Sequence, residues 1–349
     1  MAYTTIDKPS DYFNTKLYTG NGGTQSITGV GFQPDFTWIK GRSYVDDHAL
    51  FDTIRGVTKI LYSNEVNAEE TYANSLTAFD SDGFSIGSMA EVNTNSATLV
   101  SWNWKANGSG SLNEVGSIDS TVSANTTSGF SIVKFVGNET AGATVGHGLG
   151  SVPSMIIVKK ISTGTQNWRV YHKGTDTSAP QDYDLKLNLT NARDNDNTVW
   201  NDTAPTSSLF SLGTGASVNA SGATMIAYCF ADVQGFSKFG SYTGNGNADG
   251  TFVYTGFKPA FVIIKIASGT GNWNIFDIKR DGYNGENENL SANLSDAESA
   301  GNNRIDILSN GFKVRASTAD VGSSGATYIY IAFAENPFVS STGVPATAR

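Results

Sequence analysis

The chain has 349 residues, enough for two or three compact domains, and its 39% apolar content with 19 Phe, 14 Tyr and 6 Trp excludes a disordered chain. Charged residues are only 16%, against roughly 25% in ordinary soluble domains, and Gly (38 residues), Ser, Thr and Asn take their place, as in all-β proteins with many short connections. A net charge of −9 without any Lys/Arg cluster argues against nucleic acid as a partner, and no apolar run approaches the ~20 residues of a membrane span, so no membrane insertion is expected.

The N-terminal "MAYTTIDKPSDYF" has no basic region followed by an apolar segment, so it does not read as a secretory signal. From "KLYTGNG" (16–22) onward, four markers follow one another. A glycine-containing turn leads into "PDFTWIK" (34–40), then comes "HALFDTIRG" (48–56), and "SATLVSWNW" (96–104) closes the block. The same order returns as "VKFVGNE" (133–139), "PSMIIVK" (153–159), "NWRVYHKG" (167–174) and "GATMIAYCF" (222–230). It returns again as "GSYTGNG" (240–246), "PAFVIIK" (259–265), "NWNIFDIKRDG" (272–282) and "GATYIYIAF" (325–333). The period, about 105 to 120 residues, exceeds the roughly 20 to 50 of solenoids and propellers. A unit that long can hold its own core, so the expectation is three tandem β-sandwich domains, jelly-roll or lectin-like, over 1–110, 111–234 and 235–349. The first boundary falls in the Gly/Ser/Thr/Asn-rich stretch 106–129 and the second near "ADVQG" (231–235).

Within each unit the pattern is that of strands. The proline heptad carries β-branched and aromatic residues, its Pro tolerated where a strand opens, and Lys40, Lys159 and Lys265 at its end are read as the return to solvent. "DLKLNLT" (184–190) alternates strictly, with Leu185, Leu187 and Leu189 on one face. "DSDGFSIGS", "TSSLFSLGT" and "LSNGFKVRA" read as turns feeding short strands, and "VNAEETYANSL" (66–76) is the best helix candidate. At least six strands per unit, with turns every 8 to 15 residues, match a sandwich. The heptad therefore specifies a buried strand, not a catalytic signature.

Chemistry is sparse. His48, His147 and His172 have no ligand spacing to one another or to Cys229, so no zinc site is expected, and turn or surface positions suit them. Cys229, in "MIAYCF", reads as a small buried hydrophobe of a chain made in a reducing cytoplasm. "FDSDGF" (79–84) and "DNDNTVWND" (194–202) place Asp and Asn at alternate positions as calcium loops do, but lack the terminal Glu of an EF-hand and read as solvated turns. No carboxylate pair stands out for glycoside hydrolysis, and the G-x-S-x-G nucleophile elbow does not occur in a strand–helix context. The remaining candidates are aromatic. Trp168 and Trp273 follow equivalent turns ("STGTQNW", "ASGTGNW") and Trp200 lies in the Asp/Asn-rich loop, so these three are the candidate glycan contacts, against a core role for Trp168 and Trp273 in the strands they open.

The segment "STVSANTTSGFSIVKFVGN…ATVGHGLGSVPSMIIVKK…NWRVYHKG", with "YTGNG…GFQPDFTWIKGRS…HALFDTIRG" and "YIYIAFAENPF", resembles an uncharacterised module of tailed-bacteriophage virion and tail-fibre proteins, many from marine phages. The resemblance runs from about residue 12 to 338. It implies a virion protein, not an enzyme, with no cofactor and no metal. The implied function is a tail or fibre component in host adhesion through surface glycan, with other virion proteins and further copies of itself, in a trimer, as partners. A capsid decoration protein is the alternative and a glycan hydrolase a third reading. Decoration predicts the three units grouped about a pseudo-threefold axis and not strung out in line.

Overall fold

The structure is a computed structural model that describes residues 3–280, 284, 285, 287–301 and 303–345. It is all-β, built of packed antiparallel sheets. The first large sheet orders Phe13–Thr19, Thr98–Trp104, Phe36–Gly41, Ala49–Asp52, Lys59–Tyr62 and Glu70–Thr71 side by side. The same order recurs in the second sheet as Phe130–Val136, Thr224–Phe230, Met155–Lys160, Arg169–His172, Tyr183–Lys186 and Asp194–Asn195. In the third sheet it runs Ser237–Thr243, Thr327–Pro337, Phe257–Ile266, Trp273–Asp277 and Leu290–Ser291. Each proline heptad thus enters a central strand, flanked by the unit's closing strand and by the strand of its third marker.

A small sheet covers one face of each large one. Gln25–Thr28, Gly83–Ile86 and Leu76–Asp80 form the first cover, Ala143–Gly146 and Leu209–Leu212 the second, and Phe252–Tyr254, Gly311–Val314 and Ile305–Leu308 the third. Between cover and large sheet lies a separate apolar cluster in each unit: around Phe51 and Phe84, around Phe135 and Phe210, and around Phe276 and Phe312. This is sandwich packing, alternate residues of each covering strand pointing inward.

The opposite faces of the large sheets are apolar too, and they pack on one another. A fourth cluster joins Phe13, Phe36 and Trp104 to Phe130, Tyr228 and Phe230 and to Phe261 and Phe333. Trp104, Phe230 and Phe333 hold corresponding places in the three closing strands. Their ring centroids form a triangle with sides of 6.4, 6.1 and 5.7 Å, which marks a pseudo-threefold axis. The expectation of units each enclosing a complete core therefore needs correction. Each has a core of its own, but half of every large sheet is buried only by its neighbours. The reason is visible in burial: all six residues of Phe36–Gly41 are buried, as are six of the seven in Thr98–Trp104, where a strand with one wet face would alternate.

Two local expectations also change. Residues 66–76 form no helix; the chain there runs as a loop with the two-residue strand Glu70–Thr71, the Val66 carbonyl being taken by Gln166 N–H at 2.9 Å. The strand expected over 184–190 ends at Lys186, where the chain turns so that Asn188 Oδ1 accepts the Trp168 N–H at 3.1 Å. The Gly/Ser-rich 106–129 stretch carries the strands Ser111–Asn113 and Ser120–Asn125, which extend the second sheet.

The recurring "TGN/VGN/TGN" has a steric cause. Gly20, Gly137 and Gly244 each donate to a backbone carbonyl (Ala97, Ala223 and Ala326) at 2.9 Å. A Cβ on them would stand 2.1, 2.5 and 2.3 Å from the carbonyl oxygens of Thr94, Ala220 and Ser323. Gly20→Ala is accordingly expected to destabilise the protein by about 1–3 kcal/mol through forced backbone displacement, read as a lowered urea midpoint with unchanged slope.

Candidate functional site

The three units are locked by bonds that repeat around the axis. Trp168 Nε1 donates to the Tyr62 carbonyl at 2.9 Å and Trp273 Nε1 to the Lys186 carbonyl at 3.0 Å. In the first unit His48 stands in the corresponding place. Its Nδ1 accepts from Trp38 Nε1 at 2.8 Å, which leaves Nε2 as the N–H that donates to the Ser291 carbonyl at 3.0 Å. Second unit bonds to first, third to second and first to third, so the ring closes.

The lysines of the heptad make a second such ring, and here the reading of them as a return to solvent is overturned. Lys40, Lys159 and Lys265 are fully buried. Their Nζ atoms donate across the unit boundaries to the carbonyls of Ser295 (3.1 Å), Val66 (2.8 Å) and Thr190 (3.1 Å). Burial lowers Lys159 and Lys265 to about 7 and Lys40 to about 8, Asp46 and Asp47 resisting the shift at Lys40. Between those values and the ordinary 10.5 the unfolded chain binds more protons than the folded one, so stability rises with pH across that window. The melting temperature is therefore expected to climb from pH 7 to about 9.5. Combining Lys159→Met with Lys265→Met should flatten that climb, measured by calorimetry over the same pH series.

A third ring involves carboxylates. Asp52 forms a buried ion pair with Arg55 and accepts from Tyr228 Oη of the second unit at 2.8 Å. Asp277 pairs with Arg280 at 2.5 Å and accepts from Trp102 Nε1 of the first unit at 3.0 Å. His172 occupies the corresponding place in the second unit. Gly174 N–H donates to its Nδ1 at 3.0 Å, so Nε2–H donates to the Tyr330 carbonyl of the third at 3.1 Å, and burial pushes its pKa down to about 3.

These placements dispose of most sequence candidates. Trp168 and Trp273 are 0% exposed and Trp200 is 2% exposed, its ring edge-on to Tyr171 at 6.0 Å. None presents a face on which a sugar could stack, so the expectation of glycan contact at Trp168, Trp200 and Trp273 is corrected: all three are packing residues, two of them also clasps between units. The surface role expected for the histidines is corrected as well, all three being buried, His147 with its Nε2–H on the Thr206 carbonyl at 3.1 Å. Cys229 is buried, which pushes its thiol up. In the acidic loops Asp82 accepts the N–H groups of Gly29 and Gly31, and Asp196 caps the turn Asn197–Trp200 through Thr198 N–H. Among the described residues no group of three His, Cys, Asp or Glu converges on a point, and no helix is long and apolar enough to cross a membrane.

What remains is on the outside of the third unit. In the strand Phe252–Tyr254, Val253 points into the sandwich while Phe252 and Tyr254 face solvent at 45% and 48% exposure. Register shows how unusual this is. Val253 opposes Phe312, as Ile27 opposes Phe84 and Val145 opposes Phe210. The places of Phe252 and Tyr254 are therefore held by Ser26 and Thr28 in the first unit and by Thr144 and Gly146 in the second. The fold does not need aromatics there. Tyr254 borders a cleft of about 440 Å³ with Tyr3, Asp232, Gln234 and Lys238. Lys238 Nζ lies 6.0 Å from the Tyr254 ring centroid. Aligning the covering strands by their inward residues, not by the louder markers, would have found this pair in "GTFVYTG".

An all-β body of three packed sandwiches, tied to one another by buried histidine, lysine and tryptophan side chains and carrying an aromatic cleft open to solvent on the third unit, defines the class. The chain belongs to the family described as Domain of unknown function (DUF7483), which matches residues 8–337. No curated protein and no solved structure matches it.

Proposed function

We propose that the protein is a structural component of a tailed-phage particle, a tail or fibre part that contributes to host adhesion by contact with surface glycan, in company with other virion proteins and with further copies of itself in a trimer. The observation that carries this reading is the use made of the chain's reactive groups. The buried histidines and heptad lysines, the Asp52–Arg55 and Asp277–Arg280 pairs and the clasping tryptophans are spent on holding three sandwiches rigid. A rigid body with outward polar loops suits work by contact. The resemblance of its marker strings to phage virion modules points the same way.

Capsid decoration is the second reading, favoured by the pseudo-threefold triangle of Trp104, Phe230 and Phe333, since such a body could sit on a local threefold of a shell. Labelling purified particles with an antibody fragment against this chain and imaging them separates the two. Label at the tail supports adhesion, label over the head supports decoration, and unlabelled particles that infect normally overturn both.

A further inference from the structure

The geometry points to the cleft beside Tyr254 as a binding site for an acidic saccharide, an inference that rests on the adhesion reading and gives it a ligand class. A sugar ring offers an apolar C–H face and a rim of hydroxyls, so it is recognised by an exposed aromatic ring with polar groups around it. Phe252 and Tyr254 stand on the same face of one strand, two residues apart, which sets them about 7 Å from each other. Together they make a short apolar track leading into the cleft, where the other two units carry Ser26 and Thr28 or Thr144 and Gly146.

The charges in the cleft select among sugars. Asp232 is already compensated, its Oδ2 held by Lys173 and its Oδ1 by the Phe239 N–H at 2.9 Å. Lys238 forms no ion pair among the described residues, and its ammonium sits beside the Tyr254 ring. A cation next to a stacking platform without its own carboxylate fits a sugar that brings one. Gln234 is exposed at the cleft wall and offers an amide to hydroxyls. Tyr3 Oη donates to the Gly256 carbonyl at 2.6 Å and lies 3.5 Å from Tyr254 Oη, so it lines the cleft beside the tip of the stacking ring.

The test is binding of the purified full chain to a panel of acidic and neutral oligosaccharides, followed by calorimetric titration with oligogalacturonate and, as neutral control, maltoheptaose. The expected result is preference for acidic members, weakened by added salt. Phe252→Ser combined with Tyr254→Thr installs the residues of the first unit, so the strand keeps a side-chain set it already tolerates. This variant should keep the wild-type melting temperature and lose about tenfold or more in affinity. Lys238→Met should abolish the preference for acidic over neutral members. Absence of binding to every member of the panel overturns the proposal. So does equal binding of acidic and neutral members by the wild type, or unchanged binding by the double variant. Because the titration needs no particle, its failure is distinct from failure of the virion reading. A chain that labels the particle and binds no saccharide overturns the ligand alone, and one that binds acidic saccharide yet is absent from particles overturns the location alone.

Discussion

Residues 111–234, produced alone, are expected to be unfolded or aggregated at 25 °C, not a folded monomer with a third of the parent's stability. The excised unit would keep the cluster around Phe135 and Phe210. It would expose the other face of its large sheet, including Phe130, Ile132, Met155, Trp168, Tyr228 and Phe230, all buried in the intact chain. Each large apolar side chain moved from interior to water costs about 1.5–3 kcal/mol. Six of them together cost about 9–18 kcal/mol, as much as or more than the roughly 5–15 kcal/mol by which an ordinary domain is stable. The buried ammonium of Lys159 would also lose the Val66 carbonyl, and Trp168 Nε1 the Tyr62 carbonyl. The intact chain, by contrast, should unfold in a single transition seen alike by circular dichroism and tryptophan fluorescence. Three separable transitions, or a soluble and cooperatively folding 111–234 fragment, would refute the shared core.

The second large effect is expected at Asp277→Ala. Its carboxylate neutralises Arg280, which is fully buried, and accepts the indole N–H of Trp102 from another unit. Removing one member of a buried ion pair strands the other, at a cost of about 3–5 kcal/mol. Glu298 also contacts Arg280 at 2.7 Å and moderates the loss. If the cost arises from the stranded charge and not from the missing contacts, adding Arg280→Met should recover much of it. Urea unfolding of the single and double variants decides: equal midpoints for the two would locate the cost in the packing of Asp277 itself.

Much of the strand architecture was legible because repetition amplified it. Three copies of a proline heptad, of a glycine pressed against a carbonyl and of a closing apolar run identify sandwich strands with no need for a single strong propensity. The arrangement of the units was legible only in part. The run "MIAYCF" carries apolar side chains on both faces, which is the mark of a strand covered twice, whereas "TLVSWNW" hides it by setting Ser101 and Asn103 beside Leu99 on its second face. The lysines misled for a physical reason. An ammonium at a strand end normally meets water, and nothing local reveals that the carbonyls of Val66, Thr190 and Ser295 replace it from the adjoining unit. The tryptophans misled likewise, since an indole N–H can be satisfied by a distant backbone as well as by a sugar. The helix read into residues 66–76 failed because Val66 and Glu69 are held by the second unit, through Gln166 N–H and the Ile161 carbonyl. The cleft residues were hidden by the opposite difficulty. Phe252 and Tyr254 break the repeat, and a search for what recurs passes over them.

The ends of the described chain bear on how such a body can be wired. Ser341 N–H donates to Asp7 Oδ1 at 2.6 Å, and Thr4 Oγ1 donates to the Gln234 carbonyl at 2.9 Å. Start and finish therefore lie side by side at the seam between the first and third units. The backbone traces a loop whose opening could be moved: a permuted gene beginning at Gly235, with the old ends joined by a short flexible bridge, retains every ladder and every clasp described above. A host protein could equally carry the whole body as an insertion in one of its own turns, because entry and exit demand scarcely more room than a hairpin.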